Sequence, residues 1–252
     1  LTIGRDGMLY ASSFVTSEVY AAMLDDSGHH WRWFRVVSRG GGGVGLDGAT
    51  GIAVDDDLRL YVASFATDQV FRYNSVTGEY LDLFINDEHH HLDCPEGLLL
   101  LPDRLLVASF LNDRILSYDL GGRFLEILGQ GWHLDGPQAM LSHPLTNSLF
   151  VSAYHRDEVV ILDAKTGKKK GTLGKGHLSR PVGLAAAPDD QLLVSSHKSN
   201  EVLRFNASSG KLVDVFAAGH GLWAPTGIAM TTDLVLFVGT FMDGLRRYSY
   251  WK

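Results

Sequence analysis

Histidine supplies the densest chemistry in this sequence. Of its eleven histidines, four open similar short segments: His91-Leu-Asp-Cys-Pro, His133-Leu-Asp-Gly-Pro, His177-Leu-Ser-Arg-Pro and His220-Gly-Leu-Trp-Ala-Pro. In the first segment His89, His90 and His91 are consecutive, with Asp87, Glu88, Asp93 and Glu96 close by. Neutral imidazole is a good zinc ligand, but zinc asks for nitrogens at about 2.1 Å around one point. His91, His133, His177 and His220 are therefore the candidate metal ligands only if four separate segments tilt together. The plainer expectation is structural or surface histidines, with no cofactor and no tightly bound metal.

A second set of residues repeats by type. Phe14, Phe65, Phe110, Tyr154, His197 and Phe241 each follow the same short motif. Five aromatic rings and one imidazole could stack against a sugar or an apolar partner. Equally, residues at equivalent places in a repeat commonly pack between repeats. His197 breaks the aromatic pattern and, with Glu96, is the candidate for general acid–base work. Nucleophilic catalysis has no comparable support, because no Gly-x-Ser-x-Gly motif and no phosphate-cradling glycine loop is present. Residues 40–45 are glycine-rich but precede a strand, so they lack a helix N-terminus.

The elements that must position these residues come from one motif read six times. It starts at Leu9, Leu60, Leu105, Leu149, Leu192 and Leu236, at spacings of 51, 45, 44, 43 and 44 residues. Its clearest copies are Leu60-Tyr-Val-Ala-Ser-Phe and Leu105-Leu-Val-Ala-Ser-Phe. A period of about 40–50 residues is that of a four-stranded propeller blade. Within one copy, Gly51-Ile-Ala-Val, Leu60 to Ser64, Val70 to Tyr73 and Tyr80 to Phe84 predict four antiparallel strands. Gly28, Gly78, Gly122, Gly167 and Gly210 mark a hairpin that needs positive φ. The position of Asp68, Asp113, Asp157 and Asn200 fits a short side chain bonding its own turn. The prediction is an all-β, six-bladed propeller in a single domain. Its blades run over about residues 1–37, 51–84, 97–128, 138–173, 183–216 and 227–252. Loops into each first strand and out of each second strand then share one face, with Thr50, Glu96, Gln138, Val182 and Thr226 toward the channel.

The pattern carried by Gly45 through Gly78 and its five relatives resembles NHL-type propeller repeats, and more distantly virginiamycin B lyase-like and gluconolactonase-like propellers. The closest likeness is to multi-copy NHL-type repeat proteins of extracellular and envelope location. That resemblance implies fold strongly and function weakly, since propellers host scaffolds, lyases and lactonases alike. Gluconolactonase-like propellers hold a hard cation through oxygen ligands near the channel, and only Glu96 would fit that scheme. Amidating lyases with NHL-like propellers hold zinc through histidines from separate blades.

Composition narrows the partners. The net charge of −7 argues against nucleic acid, and no apolar run is long enough for a membrane-spanning helix. Lys165, Lys168, Lys169 and Lys170 surround Thr166-Gly167 and read as a solvated hairpin tip. Cys94 is the only cysteine, so no intrachain disulfide forms. Asn206-Ala207-Ser208 is a lone glycosylation triplet. The first copy supplies four strands and the last only three, leaving the segment 244–250 as an open edge. The expectation is that residues preceding Leu1, or a neighbouring subunit, supply the missing strand, with Tyr248, Tyr250 and Trp251 beside the seam. Functionally, the sequence favours a non-catalytic binding or assembly module for a protein partner or identical subunits, with carbohydrate as a further ligand class. The alternative is a metal-dependent lyase or hydrolase at the channel mouth, working through Glu96, His197 and the loop histidines.

Overall fold

A computed structural model describes residues 1–4, 6–25, 30–40, 45–86, 89, 92–129, 134–241 and 244–250. The chain divides into two compact units, residues 1–112 with 116–126, and residues 113–115 with 127–252. The first unit carries the sheet of β1 (Thr2–Ile3), β2 (Leu9–Ser13), β3 (Glu18–Leu24) and β4 (Trp31–Val37). It also carries β5 (Ala49–Val54), β6 (Arg59–Ser64), β7 (Gln69–Asn74) and β8 (Tyr80–Asn86). Most of a third sheet belongs to it, made of β9 (Pro95–Leu100), β10 (Arg104–Ser109), β11 (Arg114–Asp119) and β12 (Phe124–Leu128).

The second unit holds β13 (Pro137–His143), β14 (Ser148–Ala153), β15 (Glu158–Asp163) and β16 (Lys169–Leu173). Next come β17 (Pro181–Ala187), β18 (Gln191–Ser196), β19 (Glu201–Asn206) and β20 (Leu212–Ala218). The last sheet has three strands, β21 (Pro225–Met230), β22 (Val235–Thr240) and β23 (Gly244–Ser249). Every sheet is an antiparallel meander in chain order, so the all-β, six-bladed propeller architecture is the one expected, short last blade included. A single 3-10 turn at Pro144–Thr146 is the one helical element among the described residues, and none is long and apolar enough to cross a membrane.

Residue type follows position in the sheet. The second strands are covered on both faces, and Leu60, Tyr61, Val62, Ala63 and Ser64 of β6 are all buried. A continuous apolar run is what two covered faces select. Outer strands alternate instead, as in β20, where Val213 and Val215 are exposed and Ala217 is buried.

Glycine is fixed by close approach as well as by φ. Gly78, Gly122, Gly167 and Gly210 all have positive φ, from 65° to 85°. Gly28 lies outside the described residues. A Cβ on Gly78 would strike the Val36 carbonyl, and one on Gly122 the Phe84 carbonyl, each on the outer strand of the preceding sheet. At Gly210 the same contact relaxes, with Leu173 Cβ 3.4 Å away.

One sequence-based expectation needs correction. Asp68, Asp113, Asp157 and Asn200 were expected to bond their own turns. Each side chain instead accepts a backbone N–H from the loop of the following repeat: Cys94, Gly136 and Arg180 at 2.7 Å, and Ala224 at 2.8 Å. Ser17 does the same for Gly48 at 2.9 Å. The left-handed backbone at these five residues, φ 54° to 61°, turns the side chain outward across the gap. Tyr248 lies on the edge strand β23 of the last sheet, and Tyr250 directly follows that strand. Both pack on Phe216 of β20, at centroid distances of 6.4 and 5.7 Å, and Arg204 lies over the Tyr250 ring. Trp251 lies outside the described residues.

Candidate functional site

The loops into the first strands begin with residues in left-handed conformation: Gly48, Cys94, Gly136, Arg180 and Ala224, φ 43° to 76°. Each such residue is held at both ends. Its N–H goes to the Ser, Asp or Asn acceptor just described. Its carbonyl accepts from the residue after the second strand of its own sheet, at 2.9 to 3.2 Å for Phe65, Phe110, Tyr154, His197 and Phe241. That second bond fixes the backbone from which each ring of the repeated set projects.

The rings line up in two short arcs, one per unit. In the first unit, Phe14 and Phe65 meet edge to face at 5.5 Å and Phe65 meets Phe110 at 6.5 Å. In the second, His197 stands between Tyr154 at 6.1 Å and Phe241 at 6.3 Å. Arg180 lies over the Tyr154 ring at 5.3 Å, with a long contact of 3.4 Å to its hydroxyl. Burial holds the His197 imidazole below its usual pKa, and the nearby Arg180 charge acts in the same direction. Hydrogen bonds of the ring with the Pro225 and Ala224 main chain oppose that shift, and its buried Nδ1 has no hydrogen-bond partner among the described residues. A neutral imidazole at the centre of an aromatic row is the outcome.

Every first strand except β1 carries a register break, and the channel-side candidates sit there. The break spans Thr50 in β5, Gln138 in β13, Val182 in β17 and Thr226 in β21. The break in the β9–β10 pairing covers Glu96. These bulges re-aim side chains, but the polar atoms nearby serve the scaffold. Thr50 donates to the Pro95 carbonyl at 2.7 Å. Ser152 and Ser195 donate to the Val182 and Thr226 carbonyls, each at 2.6 Å. Ser12 donates to the Thr50 carbonyl.

No family model matches the sequence, and no curated protein matches it. Solved structures do. A chain of a nidogen/laminin complex is 16% identical with a TM-score of 0.77, over 96% of this chain and 89% of that one. A streptogramin B lyase is 14% identical at TM-score 0.66, covering 100% of this chain and 82% of that one. Virginiamycin B lyase from Staphylococcus aureus is 12% identical at TM-score 0.65, over 99% and 83%. The likeness is one of fold. One neighbour comes from a protein–protein complex and two are lyases, so the comparison leaves the chemistry to the residues.

Of the four loop histidines, His91 and His133 lie outside the described residues. His177 and His220 are exposed, and neither joins two other ligand-bearing side chains among the described residues. His220 has left-handed backbone, φ 48°, whereas beside His177 it is Gly176 that does, at φ 82°. One trio unforeseen from sequence does converge: Asp68, Asp93 and Cys94 offer ligand atoms within 4.8 Å of one another. Asp68 is occupied by the Cys94 N–H, however, and the thiol is a poor ligand. Burial first, then the charges of Asp68 and Asp93, push the Cys94 pKa up to about 11. A protonated thiol neither attacks nor binds metal well.

The sequence also left three exposed apolar residues of this face unremarked. Val15 and Leu111 follow Phe14 and Phe110, and Trp223 precedes the loop residue that holds Phe241. The signal was available in part: the place after the ring residue is Val15, Ala66 and Leu111 in the first unit, and His155, Lys198 and Met242 in the second.

Proposed function

We propose that this chain is a non-catalytic binding propeller that takes a protein partner, or a second copy of itself, on the loops that carry an aromatic arc in each unit. One observation carries the reading. The large apolar side chains of those loops are left in water: Phe14 is 51% exposed, Val15 80%, Leu111 59%, Trp223 61% and Phe241 67%. Apolar surface gathered in neighbouring loops marks a surface meant to be covered, and burial returns about 25 cal/mol per Å². The polar atoms under these loops are used to hold strands together, which leaves few groups to converge on a substrate. The wording of the repeat supports NHL-type blades as the scaffold.

A specific observation favours one other reading, a metal-dependent lyase or hydrolase. The His197 Nδ1 is unpartnered, and burial favours its neutral form. Glu96 is the acidic residue that the sequence offers that scheme.

Photo-crosslinking separates the two. Benzoylphenylalanine replaces Phe14 or Phe241 in the cells that make the protein, with the exposed Val76 on a strand-three-to-four hairpin as control. A binding module gives a discrete adduct at Phe14 and Phe241, absent at Val76, whose mass identifies a partner or a dimer. No adduct above the Val76 level refutes the reading.

A further inference from the structure

Where the hairpin of β19 and β20 stands off from β16, an open groove of about 650 Å³ forms, lined by Leu173, Lys175, His177, Lys211 and Leu212 among others. That volume lies within the range of small-molecule sites. No lining residue is acidic, although the chain carries 29 carboxylates and a net charge of −7. Charge is also unevenly spread along the sequence. No lysine precedes Lys165, and residues 165–252 hold all eight lysines and four arginines against six acidic residues. Lys168, Lys169 and Lys170 lead along β16 toward the groove. Lys170 is engaged by the Thr146 carbonyl at 2.7 Å and the Ser148 hydroxyl at 3.0 Å.

The ammonium groups of Lys175 and Lys211 pair with nothing among the described residues, and both residues are exposed. The turn that carries Lys175 adds a second kind of donor. Gly174 and Gly176 both have φ 82°, and the Gly174 carbonyl accepts from His177 and Leu178 at 2.9 Å. The Lys175 and Gly176 amides donate to no protein acceptor among the described residues. Free main-chain N–H groups at a left-handed turn, beside ammonium groups, form a concavity suited to oxyanions. Leu173 and Leu212 supply an apolar wall.

We propose that this groove binds a tetrahedral oxyanion, phosphate or sulfate, with the Lys175 and Lys211 ammonium groups and the Lys175 main-chain amide as donors and His177 at the rim. The site is independent of the aromatic loop face. The test titrates the isotopically labelled protein with glucose 6-phosphate, glucose 6-sulfate, inorganic phosphate and unmodified glucose, following backbone amide shifts. Saturable movement of the Lys175 and Gly176 amides with the anions, and none with glucose, is expected. Equal binding of inorganic phosphate would assign the free ion as the ligand, and tighter binding of an ester would assign the ester. The double variant Lys175→Gln, Lys211→Gln should weaken binding about tenfold or more, while Lys198→Gln changes nothing. No saturable binding of any of the anions, or binding the double variant leaves intact, would overturn the site.

Discussion

Replacing one hairpin glycine with alanine tests why the repeat keeps glycine there. Gly78 sits at φ 71°, where an L side chain costs about 1–2 kcal/mol. Its new Cβ would also collide with the Val36 carbonyl, main-chain atoms that cannot swing aside. Overpacking of that kind adds about 1–3 kcal/mol, so Gly78→Ala should cost about 2–5 kcal/mol. Gly210 has nearly the same φ, 69°, but its Cβ would meet only Leu173 Cβ at 3.4 Å, an ordinary contact. Gly210→Ala should therefore cost the φ penalty alone, about 1–2 kcal/mol. For a chain of this length 1 kcal/mol moves Tm by about 2–4 °C. The first variant should lose roughly 4–20 °C and the second roughly 2–8 °C, measured by circular dichroism at one scan rate. The ratio is the informative quantity. Equal losses in the two variants would mean that backbone conformation alone dictates glycine and that the close approach between sheets is not felt.

Three further outcomes follow from particular side chains. Asp113→Ala should lower stability by about 1–3 kcal/mol in urea unfolding, because it strands the Gly136 N–H. Asp113→Asn should restore most of that, as Asn200 already does the same work for Ala224. Cys94 holds its proton in the folded state up to about pH 11, against about 8.5 for a free thiol. Its contribution to stability is thus complete below about pH 8.5 and lost as pH rises toward 11. Iodoacetamide at pH 8 should label the native protein far more slowly than the urea-unfolded one, and equal rates would contradict the burial argument. The His197 pKa is lowered on folding from about 6.5, so its contribution is present above that pH and lost as pH falls below it. His197→Phe should flatten the fall in Tm between pH 7 and 5, and an unchanged slope would assign that fall to other groups.

The strand pattern was plain in the sequence because each copy states its own periodicity. The strands expected at Leu60 to Ser64 and Val70 to Tyr73 emerge as Arg59–Ser64 and Gln69–Asn74, and the last sheet stops at its third strand. The ring residues were legible as a set, since equivalent places in six copies make a type visible. What could not be read was any bond that runs from one copy to the next. Asp68 looks like a turn residue within its own repeat, and only the fold brings Cys94 to it. The same holds for Asp93 and Cys94, whose closeness to Asp68 spans two repeats. The groove beside Lys175 was hidden for a related reason: Lys175 and Lys211 belong to different copies, and each alone reads as solvated charge.

The acceptors at Ser17, Asp68, Asp113, Asp157 and Asn200 recognise main chain, so the bond itself does not select the side chain of the residue gripped. The gripped positions are indeed Gly48, Cys94, Gly136, Arg180 and Ala224, five sites with three different side chains and, at the two glycines, none. At Cys94, Arg180 and Ala224, which already carry a side chain at positive φ, a substitution changes what the loop offers to the outside while the main-chain bond persists. Structural upkeep and surface novelty are thereby assigned to different residues. A lineage carrying this chain can vary the loops it displays copy by copy, one substitution at a time, while the framework that presents them stays the same.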